Sequence, residues 1–308
     1  MTTAVTLLGP QRRPTVDRVV QSLDVRGPIA TITAGWQDRE SDDGELVSLL
    51  GGRGDNLRLH ARWLDVLERD REYAAAEREH RAVLDDLQQL YLVQLDHAVR
   101  ATFAVAKRPG GRPRTTAMAL EDALAMVRLI DSTHVARVRE VHHAFYDAWR
   151  PQEREEIARH REEVRGVLSA AECLVVTGGH VGELLRVMHL FHVAPDLPGR
   201  IVAWSAGAMA LTTRVVLFHD GAAQGPAQAE VLDEGLGVVA GLVLFPHARR
   251  RLRTGDLVRM SVLARRFAPA TCVVLDDGVR VDLGPEGELP ADARVIGTDG
   301  RIVEVRAA

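Results

Sequence analysis

Ile201-Val-Ala-Trp-Ser-Ala-Gly-Ala208 carries an apolar run straight into a serine and then into small residues. The run reads as a buried strand of a mostly parallel sheet, and the small residues as the sharp turn that feeds the next helix. In such a nucleophile elbow the serine backbone is strained and its hydroxyl exposed. The N–H of the next residue, Ala206, then points to where an oxyanion would form. The usual Gly-x-Ser-x-Gly spacing has Ala203 in its first position. By itself the octet fits a plain strand-to-helix turn equally well.

Three further strand ends supply what a serine nucleophile needs. Val175-Val-Thr-Gly-Gly-His180 ends in two glycines, where backbone N–H groups can approach a ligand closely, and Gly179 is the candidate second oxyanion donor. His247 follows the apolar stretch Val243-Leu-Phe-Pro and is the candidate base. Asp220 ends Val215-Val-Leu-Phe-His and is the candidate orienter of that base. Asp233 and Glu234 compete for the acid role, although Gly235-Leu-Gly237 beside them suits a structural turn. His180, Trp36 and Met209 flank these motifs and are candidate substrate contacts.

Working outward, the fold class is α/β. Val5–Leu8 and Ile29–Ala34 read as strands around a helix at Val16–Leu23, and Trp36–Glu40 as a polar loop. Cys173–Thr177, Ile201–Trp204, Val215–Phe218, Val238–Phe245 and Cys272–Leu275 continue the pattern. Val279–Leu283 reads as antiparallel β, and Thr298-Asp-Gly-Arg301 as the tight turn of a C-terminal β-hairpin. Between these α/β segments, residues 1–54 and 171–308, lies a different composition. Residues 55–170 are charged and rich in Ala and Leu, with stripes such as Leu84, Leu87, Tyr91, Leu95 and Leu120, Leu124, Val127, Ile130 at helical spacing. That predicts a large all-helical insertion of three to five helices without strands, broken at Lys107–Arg114, where Thr115 or Thr116 can cap the next helix, and with Pro151 opening the last. Its apolar stripes must be buried, on the α/β body or in a homodimer.

The 308 residues hold 39 Lys+Arg against 43 Asp+Glu, a net charge of −4, which argues against a general nucleic-acid binder. A 46% hydrophobic content supports a sizeable core and excludes a disordered chain. The longest apolar run, Gly237–Phe245, is less than half a membrane span, and the first ten residues lack a signal-peptide pattern, so a cytoplasmic protein with no membrane partner is expected. Cys173 and Cys272 read as small buried hydrophobes within strands. His180, His189, His192, His219 and His247 cluster in the sequence, but no carboxylate stands at a recognised metal spacing, and no metal is expected.

Val176-Thr-Gly-Gly179, Trp204-Ser-Ala-Gly-Ala208, Asp233-Glu-Gly-Leu-Gly237 and Pro246-His247 together resemble the aspartyl dipeptidase (peptidase E) and cyanophycinase family of serine peptidases. The resemblance covers 171–305 well, 1–50 loosely, and the helical region in no detail. It implies a class I glutamine amidotransferase-like fold without cofactor. It also implies Ser205 as nucleophile, His247 as base, Asp220 as orienter, and Gly179 and Ala206 as oxyanion donors. The substrate implied is a short peptide, with aspartyl specificity put in question by His180, where the family usually has Asn or Asp, and by Met209. The alternative is a binding or regulatory protein on the same fold, with the insertion as its interaction surface.

Overall fold

The computed structural model describes residues 3–220 and 228–305. The chain opens with β1 (Ala4–Leu8), α1 (Val16–Ser22) and β2 (Ile29–Ile32), then a 3-10 turn over Ala34–Arg39, α2 (Gly44–Leu49) and β3 (Gly54–Asn56). Four helices follow: α3 (Leu59–Arg69), α4 (Arg71–Ala106), α5 (Pro113–Trp149) and α6 (Glu155–Ala170). The α/β pattern resumes with β4 (Cys173–Val176), α7 (Val181–Leu190), β5 (Arg200–Trp204), α8 (Ala206–Ala210), β6 (Val215–Leu217), β7 (Glu230–Asp233) and β8 (Leu242–Pro246). It closes with α9 (Ala248–Arg251), α10 (Leu257–Phe267), β9 (Thr271–Leu275), β10 (Arg280–Asp282), β11 (Arg294–Ile296) and β12 (Ile302–Glu304).

The main sheet has the order β10-β1-β5-β4-β2-β3 and is parallel except for β10, which runs antiparallel to β1. Every residue of β2 and β4 is buried, as expected of strands covered on both faces. A second sheet, β12-β11-β9-β8, holds the remaining long strands, with β8 and β9 parallel, and β6 pairs with β7 as a two-stranded ribbon. The predicted C-terminal hairpin is β11 and β12: Gly297 N–H donates to the Arg301 carbonyl at 2.8 Å, and Gly300 takes φ 86°.

The helical region departs from the sequence reading in three local ways. The strand β3 straddles residue 55 and adds to the main sheet beside β2. Pro113, not a threonine cap, begins α5, because a residue lacking an N–H fits the first turn. Pro151 opens a separate 3-10 turn over Pro151–Glu153, and α6 starts after it, at Glu155. Likewise β8 begins only at Leu242, since Gly241 at φ 71° bends the chain and leaves Val239 a lone bridge to Thr212.

The helices are fixed to the body by specific contacts. The Glu40 carboxylate accepts the N–H groups of His60 (3.0 Å) and Ala61 (2.8 Å) in the first turn of α3, where helix N–H groups lack intrahelical partners. Helices α4 and α5 form an antiparallel pair, each roughly 55 Å long at about 1.5 Å per residue. Of the predicted stripes, Tyr91, Leu95, Leu124 and Val127 are fully buried. Among the described residues no helix is long and apolar enough to cross a membrane.

Candidate active site

Ser205 sits between β5 and α8 at φ 49°, ψ −119°, a backbone conformation that L-residues avoid. It is held there from both sides. Its N–H reaches the Leu8 carbonyl at the end of β1, and its carbonyl accepts the Met209 N–H to start α8. Only glycine fits at 207: a Cβ there would lie 2.5 Å and 2.6 Å from the carbonyl oxygens of Thr177 and Val176.

The glycine loop after β4 lies against this serine. A Cβ on Gly178 would stand 3.1 Å from the Ser205 Cβ and 3.6 Å from its Oγ. Gly179 takes φ 126° and packs on the Gly35 carbonyl, which accepts the His180 N–H at 2.8 Å. Gly35, Gly179 and Ser205 are therefore interlocked at the C-terminal ends of β2, β4 and β5, the edge where open α/β sheets place their sites.

His247 also has left-handed backbone, φ 58°, ψ 32°, at the end of β8. Its N–H donates to the Leu275 carbonyl at the end of β9. The carbonyl of the next residue, Asp276, packs on Gly9, directly after Leu8. The ends of β8, β9, β1 and β5 thus adjoin in turn and carry His247 and Ser205 on one rim. No hydrogen bond joins the two side chains among the described residues. The imidazole is one-fifth exposed, and its Nδ1 stands 3.9 Å from the Asp277 carboxylate. Burial is the main cause that pushes its pKa below the ordinary histidine value, and the charges of Arg251, Arg12 and Arg250 push the same way.

Asp220 stands elsewhere. One of its oxygens accepts the Arg253 backbone N–H at 2.9 Å and the other pairs with Arg259 Nη2 at 2.6 Å, so both are committed, and His247 lies outside ion-pair range. The carboxylate beside the imidazole is Asp277, a residue not singled out from the sequence. Its one sequence signal is that the apolar strand Cys272–Leu275 runs into Asp276-Asp277. Asp233 and Glu234 face the helical layer, where they meet His142 and Arg139.

Met209 is buried in the core, and Trp36 packs in the cluster around Val16, Val19 and Trp204. His180 is exposed and caps α7. Its Nδ1 accepts the Glu183 N–H at 3.1 Å, which leaves the proton of the neutral ring on Nε2. Cys173 and Cys272 are buried, and burial lifts both thiols to about 12, too high for a nucleophile. Asp65, Glu156 and His160 cluster closely enough to suggest a metal, but guanidinium groups already fill the place of a cation: Arg69 binds Asp65 at 2.6 Å, Arg159 binds Glu156 at 2.7 Å, and Arg62 contacts His160 at 2.9 Å.

No family model and no curated protein matches the chain. Among solved structures, a peptidase from an acI-B1 Actinobacterium aligns with 96% of this chain and 88% of its own, at 12% identity and a TM-score of 0.40. That likeness is too slight to carry an argument about chemistry.

Proposed function

We propose that this chain is a serine hydrolase of peptide or isopeptide bonds, of the aspartyl dipeptidase and cyanophycinase type on a class I glutamine amidotransferase-like fold. The observation that carries the reading is the strained Ser205 backbone, locked against the Gly178-Gly179 loop. A residue in such a conformation costs of order 1–3 kcal/mol and persists where the surrounding structure holds it for a purpose.

In this reading His247 takes the Ser205 hydroxyl proton as Oγ bonds to the substrate carbonyl carbon. The N–H groups of Gly179 and Ala206 receive the oxyanion. The amine leaves with the proton from His247, and water, deprotonated by the same imidazole, releases the acyl group. Asp277 replaces Asp220 as the orienter of His247, because among the described residues it is the one carboxylate within 4.0 Å of the ring, at 3.9 Å. At 3.9 Å the contact is longer than a hydrogen bond, and in this reading it shortens into one when substrate binds. The charges of Arg12, Arg250 and Arg251 act on the base, and none of the three makes an ion pair with a described residue, which favours a substrate with an acidic group, as an aspartyl peptide has.

A fluorophosphonate probe tests the reading. Wild-type protein is expected to be labelled once per chain, and Ser205→Ala not at all. Labelling that survives the substitution rejects this nucleophile, and a wild type that never labels supports the non-catalytic alternative. The same reaction reads the base. Only neutral imidazole accepts a proton, so a pKa held below the ordinary histidine value by burial places the acid limb of labelling at lower pH than an unburied histidine would give. Arg12→Ala/Arg250→Ala/Arg251→Ala removes positive charge that disfavours the imidazolium, so the limb should move to higher pH. A limb unmoved in the rate-against-pH profile would show that these arginines do not act on the base.

A further inference from the structure

A cavity of about 540 Å³ lies between the α4–α5 pair and α7, within the size range of small-ligand sites. The hydrolytic steps above make no use of it, and Ser205 is not in its wall. Its charges are unevenly neutralised. Each wall arginine has a carboxylate: Arg186 pairs with Glu183 and stacks on Trp63 at 3.6 Å, Arg139 pairs with Glu234, and Arg81 lies 4.0 Å from Glu183.

Three wall aspartates have no guanidinium partner. Asp233 meets the His142 imidazole at 3.1 Å. Asp85 and Asp147 are exposed and make no hydrogen bond or ion pair among the described residues. The remaining surface includes aromatic rings and imidazoles. His80 stacks on Phe145 at 4.1 Å and 8°, and burial pushes its pKa to about 4, so it adds no positive charge at neutral pH. Carboxylates without cationic partners, beside aromatic faces in a concave wall, attract a cation.

The aspartates are also spread out. The His80–Phe145 stack sets the register of the antiparallel pair, with Asp85 five residues along α4 in one direction and Asp147 two residues along α5 in the other. At about 1.5 Å per residue they stand roughly 10 Å apart along the helix axes. The geometry points to a binding site for an extended organic cation carrying two or more amine or guanidinium groups, with Asp85, Asp233 and Asp147 as its anchors. Free polyamines and basic peptide side chains share that chemistry. The site is independent of hydrolysis.

Calorimetric titration of the full chain with spermidine tests it. One saturable site per chain is expected, unchanged in Ser205→Ala, so this binding holds or fails separately from the hydrolase reading. Asp233→Asn should weaken it about tenfold, and Asp85→Asn/Asp147→Asn, on exposed faces that keep the fold, by a similar factor. The uncharged 1,8-octanediol should not bind. Displacement of spermidine by Lys-Lys identifies a basic peptide as the source of the cation, and its failure identifies a free polyamine. Absence of saturable binding, equal affinity in the double variant, or equal binding of the diol overturns the proposal.

Discussion

Asp131→Ala should lower the stability of the whole chain by about 3–5 kcal/mol, the cost of leaving a buried charge without its partner. Asp131 and Arg266 are both almost wholly buried and form a two-point pair, Nε to Oδ2 at 2.7 Å and Nη2 to Oδ1 at 2.6 Å. The Tyr91 hydroxyl donates to Asp131 at 2.8 Å and accepts the Val231 N–H at 3.0 Å, while Arg266 Nη1 donates to the Ala229 carbonyl at 2.6 Å. One polar node therefore ties α4, α5, α10 and the segment leading into β7. Removing the carboxylate leaves a buried guanidinium with neutral partners, the Ala229 carbonyl and the Tyr91 hydroxyl, and no counter-charge. Thermal unfolding followed by circular dichroism should show a midpoint roughly 10 °C lower, given about 2–4 °C per kcal/mol in chains of this size. Asp131→Leu/Arg266→Met, which removes both charges, should recover most of the loss. A midpoint within about 2 °C of wild type in Asp131→Ala would show that the node does not hold the helices to the body.

That node also marks where sequence reading stops. The runs at Ile29–Ile32 and Cys173–Val176 announce buried strands because each is short, lacks charge and contains two β-branched residues or more, and all eight residues are buried. The helical stripes announce their own faces for the same reason. Asp131 and Arg266 are 135 residues apart, however, and each reads as a solvated position on an amphipathic helix until the fold brings them together. The catalytic candidates divide along the same line. Ser205, Gly179 and His247 were legible because local backbone demands, small residues around a turn and a polar residue at a strand end, fix their places. The partner of a strand-end carboxylate was not, because such a group serves whichever cation the tertiary fold presents. For Asp220 that is Arg259, 39 residues downstream. Most strands were legible too, but the short β3 and β7 were not, nor was the division into a six-stranded sheet, a four-stranded sheet and a two-stranded ribbon, since it depends on which edges pair.

Asp277→Ala is the companion test, aimed at chemistry rather than stability. If Asp277 orients His247, its loss frees the ring to rotate and removes the acceptor that favours the Nδ1–H tautomer, so that Nε2 no longer faces the serine as a base. Loss of such an orienter costs a triad as much as about 10⁴ in rate. The contact here is 3.9 Å, and Asp277 is half exposed, so the expected fall in the rate of fluorophosphonate labelling is smaller, about hundredfold. Because Asp277 is a surface side chain without a buried partner, the unfolding midpoint should barely move. Asp220→Asn should do the reverse. It weakens the contact with Arg259 in a site where the Asp220 side chain is 5% exposed and Arg259 15%, which should cost about 2–3 kcal/mol of stability, yet it should leave labelling within about threefold of wild type. The two measurements, rate and midpoint, separate the carboxylates whichever way the outcome falls. A hundredfold loss of labelling in Asp220→Asn with an unchanged rate in Asp277→Ala would mean that Asp220 exchanges Arg259 for His247 when the site closes on its substrate, and that the acid is the strand-end carboxylate the sequence pointed to.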